Sequence, residues 1–268
     1  MTSSTTALSC QTMKLDYDDT VAILTLSRPE AMNAMNRQFF EDFQNILSEL
    51  FRPENSARAL LIQAEGKGFC SGADLKEQTG DMPPNLGDML RRNYNPLITR
   101  LKKLPMPTIA AVNGAVAGAG MSLVCACDIT IAEKQAYFIQ AFVNIALVPD
   151  AGSTYFLPRL VGRARAAQLM MLGESLTAEM ALDYGIIAKV VDKDSLYNDA
   201  LGLAKKLASM PTQAVIEIRH LLDASEQNTL PEQLEAEAIA QQKAAQSDDF
   251  IEGITAFLQK RPALFKGK

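Results

Sequence analysis

The chain has 268 residues, 48% of them hydrophobic and 21% charged, a composition typical of a globular protein with a large core. Its net charge of −5 and the lack of a basic tract argue against nucleic acid or an anionic membrane surface as a partner. No apolar run reaches the roughly 18 residues that span a bilayer, and no secretion or transit signal begins the sequence. Four cysteines without C-x-x-C spacing complete the expectation of a cytoplasmic protein.

The first half of the chain alternates between strand and helix patterns. Residues 11–27 predict a β-hairpin, about 36–51 an amphipathic helix, and about 88–103 a second helix. A surface loop with two prolines is expected at 79–87. Apolar runs predict buried strands at 58–64, 108–112, 128–132 and 137–140. Strand–helix units that repeat every 50 residues or so indicate the α/β class with right-handed crossovers.

Helical patterns dominate from about residue 152 onward. They cover 163–172, 177–184, 195–208, 212–224, 232–246 and 249–259. We therefore divide the chain into an α/β core over 11–205 and a helical region over 206–268. The Met- and Leu-rich faces of these helices are typical of a lid or an oligomer contact.

Two loops rich in small residues stand out. One spans 65–76, and the other, over 112–128, places Gly114, Gly118 and Gly120 among alanines before an apolar helix. Small residues let a ligand lie against the main chain, and the unpaired N–H groups at a helix start suit a negative oxygen. Tight packing of a strand-to-helix turn explains the same composition.

The known signatures for phosphate, dinucleotide and metal sites are missing from both loops. No Gly-Lys-Ser/Thr follows either loop, and no Gly-x-Gly-x-x-Gly follows the first strand. The single histidine, His220, lies in a helical pattern far from the loops, which excludes a Ser-His-Asp hydrolase. Two main-chain N–H groups from separate loops could still form an oxyanion hole.

Residues 69–75, Phe-Cys-Ser-Gly-Ala-Asp-Leu, and 107–120, Pro-Thr-Ile-Ala-Ala-Val-Asn-Gly-Ala-Val-Ala-Gly-Ala-Gly, resemble the crotonase (enoyl-CoA hydratase/isomerase) superfamily. The likeness continues through 149–154, 157–159 and 252–261, and spans the chain beyond its first ten residues. It implies a ββα spiral core, a C-terminal helical trimerisation region, and a homotrimer or dimer of trimers. It also implies acyl-CoA thioester substrates, with coenzyme A as part of the substrate and no separate cofactor or metal.

The resemblance also assigns roles to individual residues. The main-chain N–H groups of Ala73 and Ala119 match the oxyanion-hole donors for the thioester oxygen. Substrate contacts are expected at Ser71, Gly72, Asp74, Leu75, Gly120 and Phe142. Lys266, from a neighbouring subunit, is expected to help bind the phosphates of coenzyme A.

The chain departs from the family pattern where hydratases carry their two catalytic glutamates. Ser122 and Phe142 match those positions, so the acid and base of hydration are missing. One carboxylate, Asp150, stands where hydratases usually have glycine. It either caps the following helix or moves a proton between two carbons of the substrate. Its apolar neighbours would exclude water and raise its pKa.

Among isomerases, the chain most resembles the ring-1,2-epoxyphenylacetyl-CoA isomerase family of phenylacetate degradation, which forms an oxepin thioester and can shift double bonds in enoyl-CoAs. We therefore expect an isomerase that works through an enolate. An enoyl-CoA hydratase-like enzyme of fatty-acid oxidation and a non-catalytic acyl-CoA-binding paralogue remain alternatives. A 4-chlorobenzoyl-CoA dehalogenase would need a histidine near Asn95 and a tryptophan at Phe142. The acyl group stays open because the 79–95 segment shapes its pocket.

Overall fold

A computed structural model describes residues 5–77 and 85–268. Its strands are β1 (Thr5–Ser9), β2 (Met13–Asp18), β3 (Val21–Leu26), β4 (Ala59–Ala64), β5 (Gly68–Cys70), β6 (Thr108–Val112), β7 (Ala115–Ala117), β8 (Ile129–Glu133), β9 (Tyr137–Ile139), β10 (Ser175–Thr177) and β11 (Lys189–Val191). Its α-helices are α1 (Arg37–Leu50), α2 (Leu86–Met89), α3 (Asn95–Lys102), α4 (Ala119–Ala126), α5 (Ser153–Val161), α6 (Arg163–Leu172), α7 (Ala178–Asp183), α8 (Leu196–Ala208), α9 (Thr212–Ser225), α10 (Leu230–Ala244) and α11 (Asp248–Leu258). The α/β class predicted from the sequence is confirmed.

The larger sheet has the order β1-β2-β3-β4-β6-β8-β11. The first three strands pair antiparallel and the rest pair parallel. Both faces are covered, which explains why the parallel strands read as continuous apolar runs. Ile23, Leu61 and Ile109 pack with α8 on one face, while Leu24 and Leu60 belong to the main core on the other.

A smaller sheet has the order β10-β9-β7-β5, in which β5, β7 and β9 are parallel and β10 is antiparallel to β9. The pairing of β5 with β7 has a direct consequence for the site. The first small-residue loop leaves β5 at Ser71, and the second leaves β7 at Gly118. Since the two strands are parallel neighbours, both loops emerge at the same edge of the sheet.

The hairpin, the helix at α1, the main strands and the C-terminal helices agree with the sequence predictions to within a few residues. The short strands β1, β5, β7, β10 and β11 were not predicted, and the helix α5 was expected after Asp150 but without bounds. Residues 79–84 of the predicted surface loop lie outside the described residues, and its last part is wrong because α2 begins at Leu86. The proposed boundary at residue 205 falls inside α8.

No helix within 5–77 and 85–268 is long and apolar enough to cross a membrane.

Candidate active site

In the first loop, the main-chain N–H group of Ala73 points away from the neighbouring main chain. Met35 N donates to Gly72 O (2.7 Å) and Asp74 N donates to Met35 O (3.1 Å), which forms an isolated parallel bridge between Met35 and Ala73. In such a bridge the N–H of the middle residue points to the opposite side. Across the described part of the chain, the Ala73 N–H has no main-chain acceptor. It is therefore available to a ligand.

The second loop ends at the start of α4, where Gly118 is the N-cap with φ 51° and no side chain caps the helix. The first N–H groups of a helix have no acceptor within the helix. The Ala119 N–H likewise has none in residues 5–77 and 85–268. The partial positive charge of the helix start adds to the attraction for a negative oxygen.

Two glycines let the loops approach each other. A Cβ atom at Gly72, where φ is +87°, would lie 2.8 Å from Ala117 O and 3.2 Å from Ala119 N. A Cβ atom at Gly120 would lie 2.3 Å from Cys70 O. Because larger residues would force the loops apart, these glycines bring the Ala73 and Ala119 main chains to one cavity wall.

Asp150 lies on the turn before α5. Ser122 Oγ donates to Asp150 O (3.0 Å), as does Ser153 N (2.9 Å), so the main chain of Asp150 is held against α4. The backbone on either side is in the left-handed region, with φ of 56° at Ala146, 50° at Ala151 and 81° at Gly152. Such conformations are unfavourable for alanine and cluster at functional sites.

The Asp150 carboxyl group is shielded from water and unpaired. Oδ1 is buried without a hydrogen-bond partner in the described chain. Gly152, not Asp150, is the N-cap of α5, and no side chain caps that helix. The capping interpretation is therefore wrong, because the left-handed turn carries the carboxyl group away from the helix. Burial raises the pKa of Asp150 from its ordinary 3.8 to about 6.

Ala73, Ala119 and Asp150 line one cavity of about 230 Å³. Its other walls are mostly apolar, and include Leu75, Met89, Leu90, Phe142, Leu147 and Val148. Phe142 is 7% exposed, and a Cβ atom on Gly118 would lie 3.7 Å from its ring. A thioester could thus lie between two N–H donors and one carboxyl group, against mostly apolar walls.

A larger cavity of about 400 Å³ lies between α5 and α9. Its charged side chains pair with one another, as Arg159 does with Glu226 and Arg219 with Asp128. The described residues that line it offer no pair of free main-chain donors beside a carboxyl group. We therefore place the candidate active site in the smaller cavity.

The residues predicted to bind substrate divide into three groups. Ser71, Leu75 and Phe142 line the cavity, while Gly72 and Gly120 act through loop packing. Asp74 lies apart from the cavity, because its Oδ2 is 2.7 Å from Arg28 Nη1 and its N–H is bound to Met35. Burial opposes ionisation of Asp74, but the hydrogen bond from Arg28 prevails and its pKa is lowered.

Lys266 is not among the described residues that line the cavity of its own protomer. Its N–H donates to Asp249 Oδ1 (2.6 Å), and the preceding carbonyl, that of Phe265, accepts from Arg58 Nη1 (2.7 Å). Its proposed contact with coenzyme A would therefore come from a neighbouring subunit. That contact stays a prediction.

Tyr94 also lines the cavity and was missed as a site residue. It ends a five-residue π-helical turn, Leu90–Tyr94, which is closed by a bond from Asn95 N–H to Leu90 O. Pro96 follows in the first turn of α3 and has no N–H to donate, which favours such a widened turn. The proline was the only sequence signal for this geometry.

Comparison with known proteins agrees with the geometry. A family model described as enoyl-CoA hydratase/isomerase matches residues 16–268. The 1,2-epoxyphenylacetyl-CoA isomerase of Escherichia coli K12 is 43% identical over 251 residues, which cover 92% of this chain and 95% of that protein. A Rhodobacter capsulatus protein named as an enoyl-CoA hydratase is 40% identical over 261 residues, which cover 97% of this chain and 100% of that protein.

Solved structures share the fold as well. The crystal structure of an enoyl-CoA hydratase/isomerase from Mycobacterium abscessus superimposes with a TM-score of 0.90 at 36% identity, covering 96% of this chain and 100% of that one. The crotonase-like fold predicted from the sequence is thereby confirmed. With the family model matching nearly its whole length, the chain belongs to the enoyl-CoA hydratase/isomerase family of crotonase-fold proteins.

Proposed function

We propose that this protein is an acyl-CoA isomerase that works through an enolate and uses Asp150 as its acid and base. One observation carries the proposal. Asp150 is the only carboxyl group that lines the cavity among residues 5–77 and 85–268. A 1,3-proton shift needs a single carboxylate, because the same group removes the proton and returns it.

In the proposed reaction, the Asp150 carboxylate takes a proton from a carbon made acidic by the thioester. The electrons of the broken C–H bond move into the conjugated system and onto the thioester oxygen. The N–H groups of Ala73 and Ala119 donate to that oxygen while it is negative. Such a donor is typically worth about 3 kcal/mol in the transition state. The protonated Asp150 then returns its proton to a second carbon, and the double bond has moved.

The raised pKa of Asp150 supports this role. A pKa of about 6 leaves the group ionised at neutral pH, yet makes it a stronger base than an ordinary aspartate. Its buried Oδ1 has no hydrogen-bond partner in the described chain, so proton transfer to that oxygen breaks no hydrogen bond.

For the acyl group, we propose a ring-1,2-epoxyphenylacetyl or an enoyl thioester. The activity for which the Escherichia coli relative is named, 1,2-epoxyphenylacetyl-CoA isomerase, supports the first. The aromatic ring of Phe142 and the apolar side chains of Met89 and Leu147 would give a ring flat, water-free walls.

Hydration of enoyl-CoA is the second candidate, favoured by the name of the Rhodobacter capsulatus relative. The site argues against it. Ser122 is fully buried and its hydroxyl is bound to Asp150 O, while Phe142 has no titratable group. Neither can activate or protonate water as a carboxyl group would.

The purified protein should be assayed with three substrates. These are a 3-enoyl-CoA, a 2-enoyl-CoA in water, and the ring-1,2-epoxide of phenylacetyl-CoA. The proposal expects turnover of the first or the third and slow hydration of the second. Rapid hydration would favour the hydratase, while tight binding of all three without turnover would indicate a non-catalytic acyl-CoA-binding paralogue.

We further propose a homotrimer or dimer of trimers assembled through the C-terminal helices in the cytoplasm. Helix α11 exposes an apolar stripe at helical spacing, formed by Phe250, Ile251, Ile254, Phe257 and Leu258. An exposed stripe of this size is typical of an interaction surface. The same contact would bring Lys266 of one protomer toward a neighbour.

A further inference from the structure

Tyr94 carries a polar group that the proposed reaction does not use. The residue is 2% exposed, and its ring packs against Phe40 with centroids 4.5 Å apart at an angle of 60°. This contact and the π-helical turn fix the ring beside the cavity that also contains Asp150. The phenol makes no hydrogen bond to any residue that the structure describes.

The phenol oxygen is not among the fully enclosed atoms without a partner in the described chain, so it opens onto the cavity. A ligand that fills the cavity without supplying an acceptor would leave this hydroxyl unpaired, typically at a cost of about 1–3 kcal/mol, whereas a phenylalanine would bear no such cost. The phenol would therefore gain from a ligand that supplies an acceptor. The thioester oxygen already has two donors in the Ala73 and Ala119 N–H groups. A second oxygen on the acyl group would give Tyr94 an acceptor of its own.

The phenol keeps the ability to donate a hydrogen bond here. Burial, together with the negative charge of Asp150, holds the pKa of Tyr94 well above its ordinary value, so the hydroxyl keeps its proton at any working pH. A plain alkenoyl chain has no oxygen beyond the thioester. A ring epoxide, by contrast, carries one next to the reacting carbons.

We propose that Tyr94 selects acyl groups that carry an oxygen near the reacting carbons, by donating a hydrogen bond to that oxygen. The inference rests on the proposed function and names its substrate class, an oxygenated ring thioester in preference to an unsubstituted chain. Sites that hydrogen-bond a substrate group discriminate strongly against analogues that lack it.

The test uses two unreactive thioesters that differ by one oxygen, phenylacetyl-CoA and 2-hydroxyphenylacetyl-CoA. Their dissociation constants are measured by calorimetry for the wild type and for Tyr94→Phe, which keeps the ring and its contact with Phe40. Tyr197→Phe is the matched control, since Tyr197 is exposed on α8 and outside the cavity.

The wild type and Tyr197→Phe should bind the hydroxylated thioester about tenfold more tightly than phenylacetyl-CoA, and Tyr94→Phe should lose that preference. Equal affinity of the wild type for both thioesters would overturn the inference. A preference that survives in Tyr94→Phe, or an equal weakening of both ligands by that substitution, would overturn it too. Because no turnover is needed, failure here is distinct from failure of the isomerase proposal, which the substrate assays decide.

Discussion

The buried negative charge of Asp150 destabilises the folded protein at neutral pH. Its pKa is about 6 in the folded protein and would be near 3.8 in an exposed chain. The folded state therefore binds the proton more tightly, and the free energy of unfolding falls as pH rises from about 4 to about 6. A shift of about two pKa units corresponds to a stability contribution of about 3 kcal/mol at most. This contribution is fully present below about pH 4 and is lost above about pH 6.

Replacing Asp150 with asparagine should therefore stabilise the protein at pH 8. Asparagine has nearly the same shape and is neutral at every pH, so the cost of burying a charge disappears. Urea unfolding should give Asp150→Asn an advantage of about 1–3 kcal/mol at pH 8 that largely vanishes at pH 4.

Asp183→Asn is the control for this experiment, because Asp183 is exposed at the end of α7 and its substitution removes one surface charge. It should show no comparable gain at pH 8. If Asp150→Asn is no more stable than the wild type at pH 8, the carboxyl group is not buried as the structure has it.

Ser122 has a structural role at a position where hydratases have a catalytic residue. Hydratases carry a catalytic glutamate at the matching position, whereas Ser122 here donates to the carbonyl of Asp150. The hydroxyl thus fixes the turn that carries the remaining carboxyl group. We infer that loss of one acid and placement of another are linked through this contact.

At the level of elements, the candidate oxyanion hole depends on the contact between the two loops. Gly72→Ala would put a methyl group 2.8 Å from Ala117 O and 3.2 Å from Ala119 N, at a φ of +87°. The loops must then separate. We expect kcat to fall about a hundredfold or more, as when an oxyanion donor is lost, with a stability loss of about 1–2 kcal/mol from the left-handed backbone.

Gly202→Ala adds the same methyl group on α8, where nothing lies within 4 Å. It should keep full activity and gain about 1 kcal/mol of stability from helix propensity. Steady-state kinetics and thermal unfolding of both variants separate the effects. Wild-type kcat in Gly72→Ala would mean that the loop contact does not build the donors.

The elements with strong periodic patterns were predictable, and the short ones were not. The strand β6 is a contiguous apolar run that is buried on both faces, and α1 repeats phenylalanines at helical spacing. By contrast, β7 has only three residues, Ala-Val-Ala, and gains its pairing from β5 and β9. The helix α5 was expected after Asp150 but without bounds, because Pro158 lies inside it and normally argues against a helix.

For the site, the sequence indicated the two loops and Asp150, because each stands out by residue type. It left open whether Asp150 caps α5 or transfers a proton, because the residue type of Ala151 does not reveal the left-handed conformation that Ala151 and Gly152 adopt. Tyr94 escaped notice because its position depends on a π-helical turn that only tertiary packing fixes.

At the scale of the whole molecule, the exposed face of α11 predicts a defined oligomer. Phe257 is 82% exposed and is the most exposed residue of the apolar stripe. Light scattering should give three or six times the 29.2 kDa mass of the protomer. Phe257→Lys should lower that mass, because a charge would have to be buried in the interface.

Gln227→Lys adds the same charge to an exposed turn between α9 and α10 and should leave the assembly intact. A monomeric wild type, or a Phe257→Lys variant of unchanged mass, would show that α11 is not the contact between subunits.

The most direct test of the account is double-bond migration in deuterium oxide by the wild type and Asp150→Asn. The wild type should convert a 3-enoyl-CoA to its 2-enoyl isomer and introduce deuterium at the α or γ carbon. Asp150→Asn should do neither, while binding the thioester within about tenfold of the wild type, or about 1.4 kcal/mol. Isomerisation that survives in Asp150→Asn would contradict the assignment of the proton transfer to Asp150.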